Sequence, residues 1–210
     1  MLSERIIDKT LDKNIPLSAS MELTYRCNNK CVMCYQPETC SEELTTEEIE
    51  NILTQLAEHG CLYLTFTGGE PLLRQDFWQI AEFARAKSFA VNLLTNGTLI
   101  GREEAEKIKK LNFLQVHISI LGKDAKTHDA ITDVSGSFEK AISGAGELVA
   151  QGVNVVFKTT LMKENIAQYK EIEKLAESTG ALPFFSPVIF PKNDMEQGPL
   201  SHRITDEDLK

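Results

Sequence analysis

The chain has 210 residues and carries 22 Lys and Arg against 31 Asp and Glu, a formal net charge of −9. Its 42% apolar and 25% charged composition is that of one globular domain and excludes an intrinsically disordered chain. The acidic balance argues against duplex DNA as a partner, no apolar run reaches the ~20 residues of a membrane span, and the charged N-terminus (MLSERIIDKT) lacks a secretory core, so the cytoplasm is the expected compartment.

Residues 1–16 read as a helical lead-in, with Leu2, Ile6, Ile7 and Leu11 forming one apolar face. Ser20–Tyr25 is a short strand that runs into a cysteine-rich loop. Thr46–His59 carries a helical apolar stripe at Ile49, Ile52, Leu53 and Leu56, and Thr45 with Glu48 has capping-box spacing. A strand over Leu62–Thr67 ends at Gly68-Gly69. Then come a helix over Asp76–Lys87, a strand over Phe89–Leu94, and a helix over Arg102–Lys110. The pattern repeats as strand Phe113–Ser119, helix Ser137–Ala150, strand Val153–Thr159, helix Ile166–Thr179 and strand Phe184–Ile189. Six strands separated by five helices over residues 17–190 predict an α/β fold with a parallel sheet, and sites in such folds form at the carboxyl ends of the strands. Beyond them, residues 191–210 read as a crossing segment to a further domain. Pro, Gly and polar residues fill Pro191–Arg203, and Ile204–Leu209 resembles a helix start with a Thr cap and acids in its first turn.

The five cysteines are Cys27, Cys31, Cys34, Cys40 and Cys61. An odd count without an export signal speaks against a disulfide framework, and four thiols within fourteen residues read as a metal or cluster site. Cys27, Cys31 and Cys34 have C-x3-C-x2-C spacing. Three thiolates hold three corners of a cubane [4Fe–4S] cluster and leave one iron open. Structural zinc with Cys40 as fourth ligand is the alternative on spacing alone. Thr67-Gly68-Gly69-Glu70-Pro71 follows the second strand, at the same edge as the cysteine loop. Its glycines let backbone approach a ligand, and strand-end carbonyls with a carboxylate suit an ammonium group. Cys61 reads as a core hydrophobe, and His117, between Val116 and Ile118, as a core or lumen histidine.

Taken together, these motifs resemble the radical S-adenosylmethionine (SAM) superfamily over residues 17–190. The resemblance extends through Thr95-Asn96-Gly97-Thr98, His117–Gly122, His128–Thr132 and Gly136-Ser137-Phe138. The later stretches are similar to the branch that carries a SPASM or twitch domain and often modifies peptides. The resemblance implies a partial (βα)6 TIM-like barrel, with SAM lying across its mouth and one [4Fe–4S] cluster held by Cys27, Cys31 and Cys34. It further implies that Gly68, Gly69 and Glu70 hold the methionine amino group, that Ser119 contacts ribose or carboxylate, and that Asn96 lines the floor. Met33 occupies a position that is commonly aromatic and would pack on adenine. Leu121 stands where such relatives often have an acid. Thr132 stands where an arginine commonly neutralises the SAM carboxylate, which leaves Lys158 as the candidate for that charge. The implied activity is reductive cleavage of SAM to a 5′-deoxyadenosyl radical that abstracts hydrogen from a substrate. The electron would come from an external flavodoxin- or ferredoxin-type donor. The substrate would be a peptide or protein, or a small molecule such as a tetrapyrrole. A valine at Gly69 is expected to block SAM and leave iron intact. Two rival readings are a glycyl-radical activating enzyme and, without catalysis, a zinc or ferredoxin-like binding module.

Overall fold

The structure is a computed structural model that describes residues 10, 15–37 and 42–208. The apolar face expected over residues 1–16 and the thiol of Cys40 lie outside the described residues. Six strands, β1 (Ser18–Glu22), β2 (Tyr63–Thr67), β3 (Ala90–Thr95), β4 (Gln115–Ser119), β5 (Val155–Thr160) and β6 (Leu182–Ser186), form one sheet in chain order, with every neighbouring pair parallel. Between them run helices α1 (Thr46–Glu58), α2 (Phe77–Ala86), α3 (Arg102–Lys110), α4 (Ala125–Thr132), α5 (Ser137–Ala150) and α6 (Tyr169–Thr179). Among the described residues β1 and β6 each have one strand neighbour, so the sheet is an open, partial barrel.

The two faces of the sheet differ in chemistry. On the helix-covered face Leu64, Phe66, Val91, Leu93, Val116, Ile118 and Phe157 are buried against Ile49, Leu53, Phe77, Ile80, Ile108 and Leu148 of the helices. The alternate positions face the lumen and include Thr65, Asn92, His117 and Lys158, all partly accessible. A closed barrel fills its interior with layers of branched apolar residues. Here the lumen positions mix these polar side chains with apolar ones such as Leu94.

Local rules account for the elements. The capping box foreseen at α1 is present, with Thr45 N donating to Glu48 Oε2 at 2.8 Å and Glu48 N donating to Thr45 Oγ1 at 3.3 Å. Gly144 sits inside α5 where a Cβ would lie 2.5 Å from the Gly97 carbonyl, so the glycine lets the loop after β3 rest on the helix.

Several boundaries differ from expectation. β1 lies two to three residues earlier than Ser20–Tyr25, because its ladder pairs Ser18 with Tyr63 and Glu22 with Thr67. The last strand is Leu182–Ser186 rather than Phe184–Ile189. Pro187 has no N–H to give a ladder, whereas Pro183 is tolerated because β6 is an edge strand. Helix α4 was not anticipated; it is eight residues long and carries little apolar periodicity. The expected helix Ile166–Thr179 opens as a 3₁₀ turn over Ile166–Gln168. At the carboxyl end, Thr205 N and Oγ1 both donate to Asp208 Oδ2 at 2.7 Å; the described residues there form a turn rather than the expected helix start, and the Thr205 hydroxyl donates instead of capping a helix N–H.

Candidate active site

The loop after β1 carries Cys27, Cys31 and Cys34, and three separate parts of the fold clamp it. From the loop after β2, Gly69 N donates to Thr24 O at 2.7 Å and Glu70 N donates to Arg26 O at 2.8 Å. From the loop after β3, Asn96 Nδ2 donates to Asn28 Oδ1 at 2.7 Å, and Asn28 Nδ2 donates to Thr98 Oγ1 at 2.8 Å. From the C-terminal end of α4, the carbonyls of Thr132 and Ile131 accept from Lys30 N and Val32 N, both at 2.9 Å. A fourth tie precedes the loop. Arg74, buried, donates to Leu23 O at 2.7 Å and to Asp76 Oδ2 at 2.6 Å, and it approaches Glu43 at 3.8 Å. Glu43 in turn accepts from Thr24 Oγ1 and from Arg26.

The three thiols border a cavity of about 220 Å³ at the carboxyl edge of the sheet. Met33, Gly68, Gly69 and Asn96 line it on the side of the cysteine loop, and Ser119 and Lys158 line it on the β4–β5 side. Met33 also packs against a small apolar cluster of Leu121, Ile131, Met162 and Ile189. The same thiols border a second hollow of about 570 Å³ on the outer side of the loop.

Glu70 departs from the role implied for it. It is fully buried and is not part of the cavity wall. Its carboxylate accepts from Thr95 Oγ1 at 2.8 and 2.9 Å, from Asn96 N at 2.7 Å and from Leu72 N at 3.1 Å. Burial pushes the carboxyl up to about 7, against the pull of those hydrogen bonds. In this arrangement Glu70 joins the loops after β2 and β3, and positions Asn96 rather than facing the cavity itself. Gly68 and Gly69 likewise face backbone. A Cβ on Gly69 would lie 2.3 Å from Arg26 O, and one on Gly68 would lie 2.4 Å from Thr24 O. A side chain at Gly69 therefore strikes the cysteine loop first, which corrects the expectation that a valine there would spare iron.

The donor set suits a cluster. Burial raises the thiols of Cys27 and Cys31, the latter to about 12 with help from its two neighbouring cysteines. A positively charged inorganic group is what would draw these protons off. Among the described residues no three His, Cys, Asp or Glu side chains converge on a single-ion site. Asn29 Oδ1 and both polar atoms of Gln36 are buried in the same loop without partners, and both residues line the cavity, as expected for groups that meet a polar ligand.

Sequence reasoning missed three supports. Arg74 and Glu43 carried no signal beyond a charge next to an apolar turn. The α4 carbonyls could not be found without knowing that α4 exists. Asn165, buried at the exit of β5, donates to Leu121 O at 3.0 Å and Thr160 O at 2.9 Å and so fixes the β4 exit beside Ser119.

Known proteins resemble this chain in sequence and in fold. A family model described as the radical SAM superfamily matches residues 21–176. An AdoMet-dependent heme synthase from Methanosarcina barkeri is 34% identical over 174 residues, covering 81% of this chain and 50% of the relative. The mycofactocin maturase MftC from Mycobacterium tuberculosis is 34% identical over 169 residues, covering 79% and 43%. The chain thus spans about half the length of these curated relatives. Among solved structures, Streptococcus suis SuiB bound to its precursor peptide SuiA superposes with a TM-score of 0.72 at 20% identity, covering 85% of this chain and 41% of that one. The peptide-bound anSMEcpe with AdoMet superposes with a TM-score of 0.70 at 20% identity, covering 92% and 56%. At that identity the likeness is one of fold.

Proposed function

The chain belongs to the radical SAM superfamily, and from that membership we propose that it is the SAM-cleaving catalytic part of an enzyme acting on a peptide or a tetrapyrrole-like small molecule. The observation that carries this reading is the cysteine loop, with three thiols on one backbone segment that is clamped from three sides and opens on the cavity lined by Gly68, Gly69, Asn96 and Ser119. Cys27, Cys31 and Cys34 would hold a [4Fe–4S] cluster, and that group would supply the one-electron reduction that splits SAM into methionine and a 5′-deoxyadenosyl radical able to take hydrogen from a substrate.

The chain's own residues do the positioning. Cys27, Cys31 and Cys34 would ligate three irons. The Gly68–Gly69 backbone borders the place where the amino group of SAM would sit. Met33 would lie against the adenine, held there by Leu121, Ile131 and Ile189. Ser119 would contact ribose or carboxylate, and Asn96 would close the floor while bracing Asn28. A flavodoxin- or ferredoxin-type protein would supply the electron. Both substrate classes have support in the names of relatives, a heme synthase and a peptide maturase. The open lumen, with both polar and apolar residues on its wall, suits either.

Anaerobic reconstitution tests the reading. About four irons and four sulfides per chain are expected, with slow release of 5′-deoxyadenosine from SAM under reducing conditions. Cys27→Ala, Cys31→Ala and Cys34→Ala should each abolish cluster binding, whereas Cys61→Ala, at a buried core thiol on the helix-covered side, should not. Tight zinc with negligible iron would overturn the assignment.

A further inference from the structure

Among the described residues Lys158 is the one lysine or arginine on the cavity wall. It stands on the lumen face of β5, paired in register with Ser119 of β4 and Phe184 of β6. It is half-buried, and no hydrogen bond or ion pair among the described residues engages its ammonium. The chain holds 31 Asp and Glu, yet none of those described lines this cavity. His117 lies two residues before Ser119 on the same face, with Nε2 3.2 Å from Gln115 Oε1. Burial, and then the Lys158 charge, hold its imidazole below the ordinary range, so the two groups sense each other. An ammonium withdrawn from water without a counter-charge is costly, and an arriving anion removes that cost.

We infer that Lys158 is the receptor for a carboxylate carried by the substrate. This rests on the radical SAM reading, since it takes the lumen as the substrate chamber. The other source of a carboxylate is SAM itself. Position favours the substrate. Lys158 lies two strands beyond the Asn96 loop and three beyond Gly68–Gly69, about 10–15 Å along the sheet at ordinary strand spacing. The lumen below it, lined by Gln115, His117 and Asn92, is polar and partly accessible.

The chain has four histidines, so the His117 imidazole can be followed by NMR and assigned with His117→Gln. The protein is reconstituted anaerobically and kept oxidised. Propionate serves as the carboxylate probe and propionamide as the neutral control, each with and without saturating SAM. Propionate should raise the His117 titration midpoint saturably, and propionamide should not. Lys158→Met should raise the midpoint by itself and abolish the response, and Lys158→Arg should retain it. The response should survive saturating SAM. Suppression by SAM would assign the site to the SAM carboxylate and overturn the substrate assignment. Absence of a response in the unmodified protein, or an intact response in Lys158→Met, would overturn the anion site altogether. Iron content and 5′-deoxyadenosine release by the unmodified protein are read separately, so failure of the enzyme reading is distinguishable from failure of this one.

Discussion

Gly69 and Glu70 show how adjacent residues of one motif divide their work. Gly69 gives the cysteine loop a backbone surface to lie on, and the first atom that an added Cβ meets is Arg26 O at 2.3 Å, one residue before Cys27. Gly69→Ala should therefore lower iron content and SAM cleavage together. A variant that keeps full iron and loses only SAM binding would show that the glycine serves the ligand alone. Glu70 makes its bonds inside the protein. Gln at this position must turn an NH₂ toward one of the N–H donors of Leu72 or Asn96, leaving at least one bond unmade at a cost of about 1–3 kcal/mol. The pH dependence follows from the raised carboxyl. Between its ordinary value of 4.5 and its folded value of about 7, the folded state holds a proton that the unfolded state has lost. Stability of the unmodified protein therefore falls as pH rises through that window, and levels off above it. Glu70→Gln lacks this slope, so in urea melts the advantage of the unmodified protein should shrink from pH 4.5 to pH 7. A constant difference across the window would refute the assignment.

Among the elements, α4 and α5 act as a pair that supports the cysteine loop. Asp129, on α4, accepts from Gly136 N at 2.7 Å, Ser137 Oγ at 2.9 Å and Phe138 N at 2.9 Å, and so caps the start of α5 from a neighbouring helix. Thr132 and Ser137 share a hydroxyl hydrogen bond at 2.7 Å, and the next link is Thr132 O to Lys30 N. The Thr132 hydroxyl, at the place where relatives commonly carry an arginine, is thus engaged with Ser137 and with Asp129 O at 3.3 Å. Burial tends to raise the Asp129 carboxyl, but the bonds from Phe138, Gly136 and Ser137 outweigh it and hold the group below its usual range. Its contribution is therefore present above about pH 4 and lost as acid is added below that. Asp129→Ala should cost about 1–2 kcal/mol at pH 7, the range for a lost cap, and the difference in Tm from the unmodified protein should narrow below pH 4. Faster hydrogen exchange at Lys30 and Val32 in this variant would report the link to the cysteine loop.

At the scale of the whole molecule, folding and ligand holding are spatially separate. The large apolar core lies between the helices and the outer face of the sheet, and the thiols lie over the carboxyl edge beside a much smaller cluster. Chelating the metal should therefore leave far-UV circular dichroism and a cooperative melt in place. It should lower Tm by the binding free energy that is lost, and speed exchange mainly within residues 23–36. A metal-free chain without a cooperative transition would mean that the cluster is part of the core. An acidic chain and a cavity whose described lining holds no Asp or Glu coexist because helix faces such as that of α3, with Glu103 and Lys107 exposed and paired at 2.7 Å, carry charge away from the lumen.

What could be read from the chain alone was whatever depends on residues near one another in sequence. Alternating apolar patterns yielded six strands in order, Thr45 and Glu48 yielded a cap, and C-x3-C-x2-C with Gly68-Gly69 yielded a family. Local spacing carries that information because a strand, a cap and a loop of thiols are each set within a few residues. The tertiary structure decided the partners. Glu70 turned inward because Thr95 and Asn96, 25 and 26 residues later, end the neighbouring strand. Gly69 proved a contact for backbone because the sheet lays the loops after β1 and β2 side by side. Among the described residues Lys158 has no acid beside it, because the parallel register sets it next to Ser119 and Phe184. Such pairings follow from strand order and register across long stretches of chain, to which no local pattern of residues is sensitive.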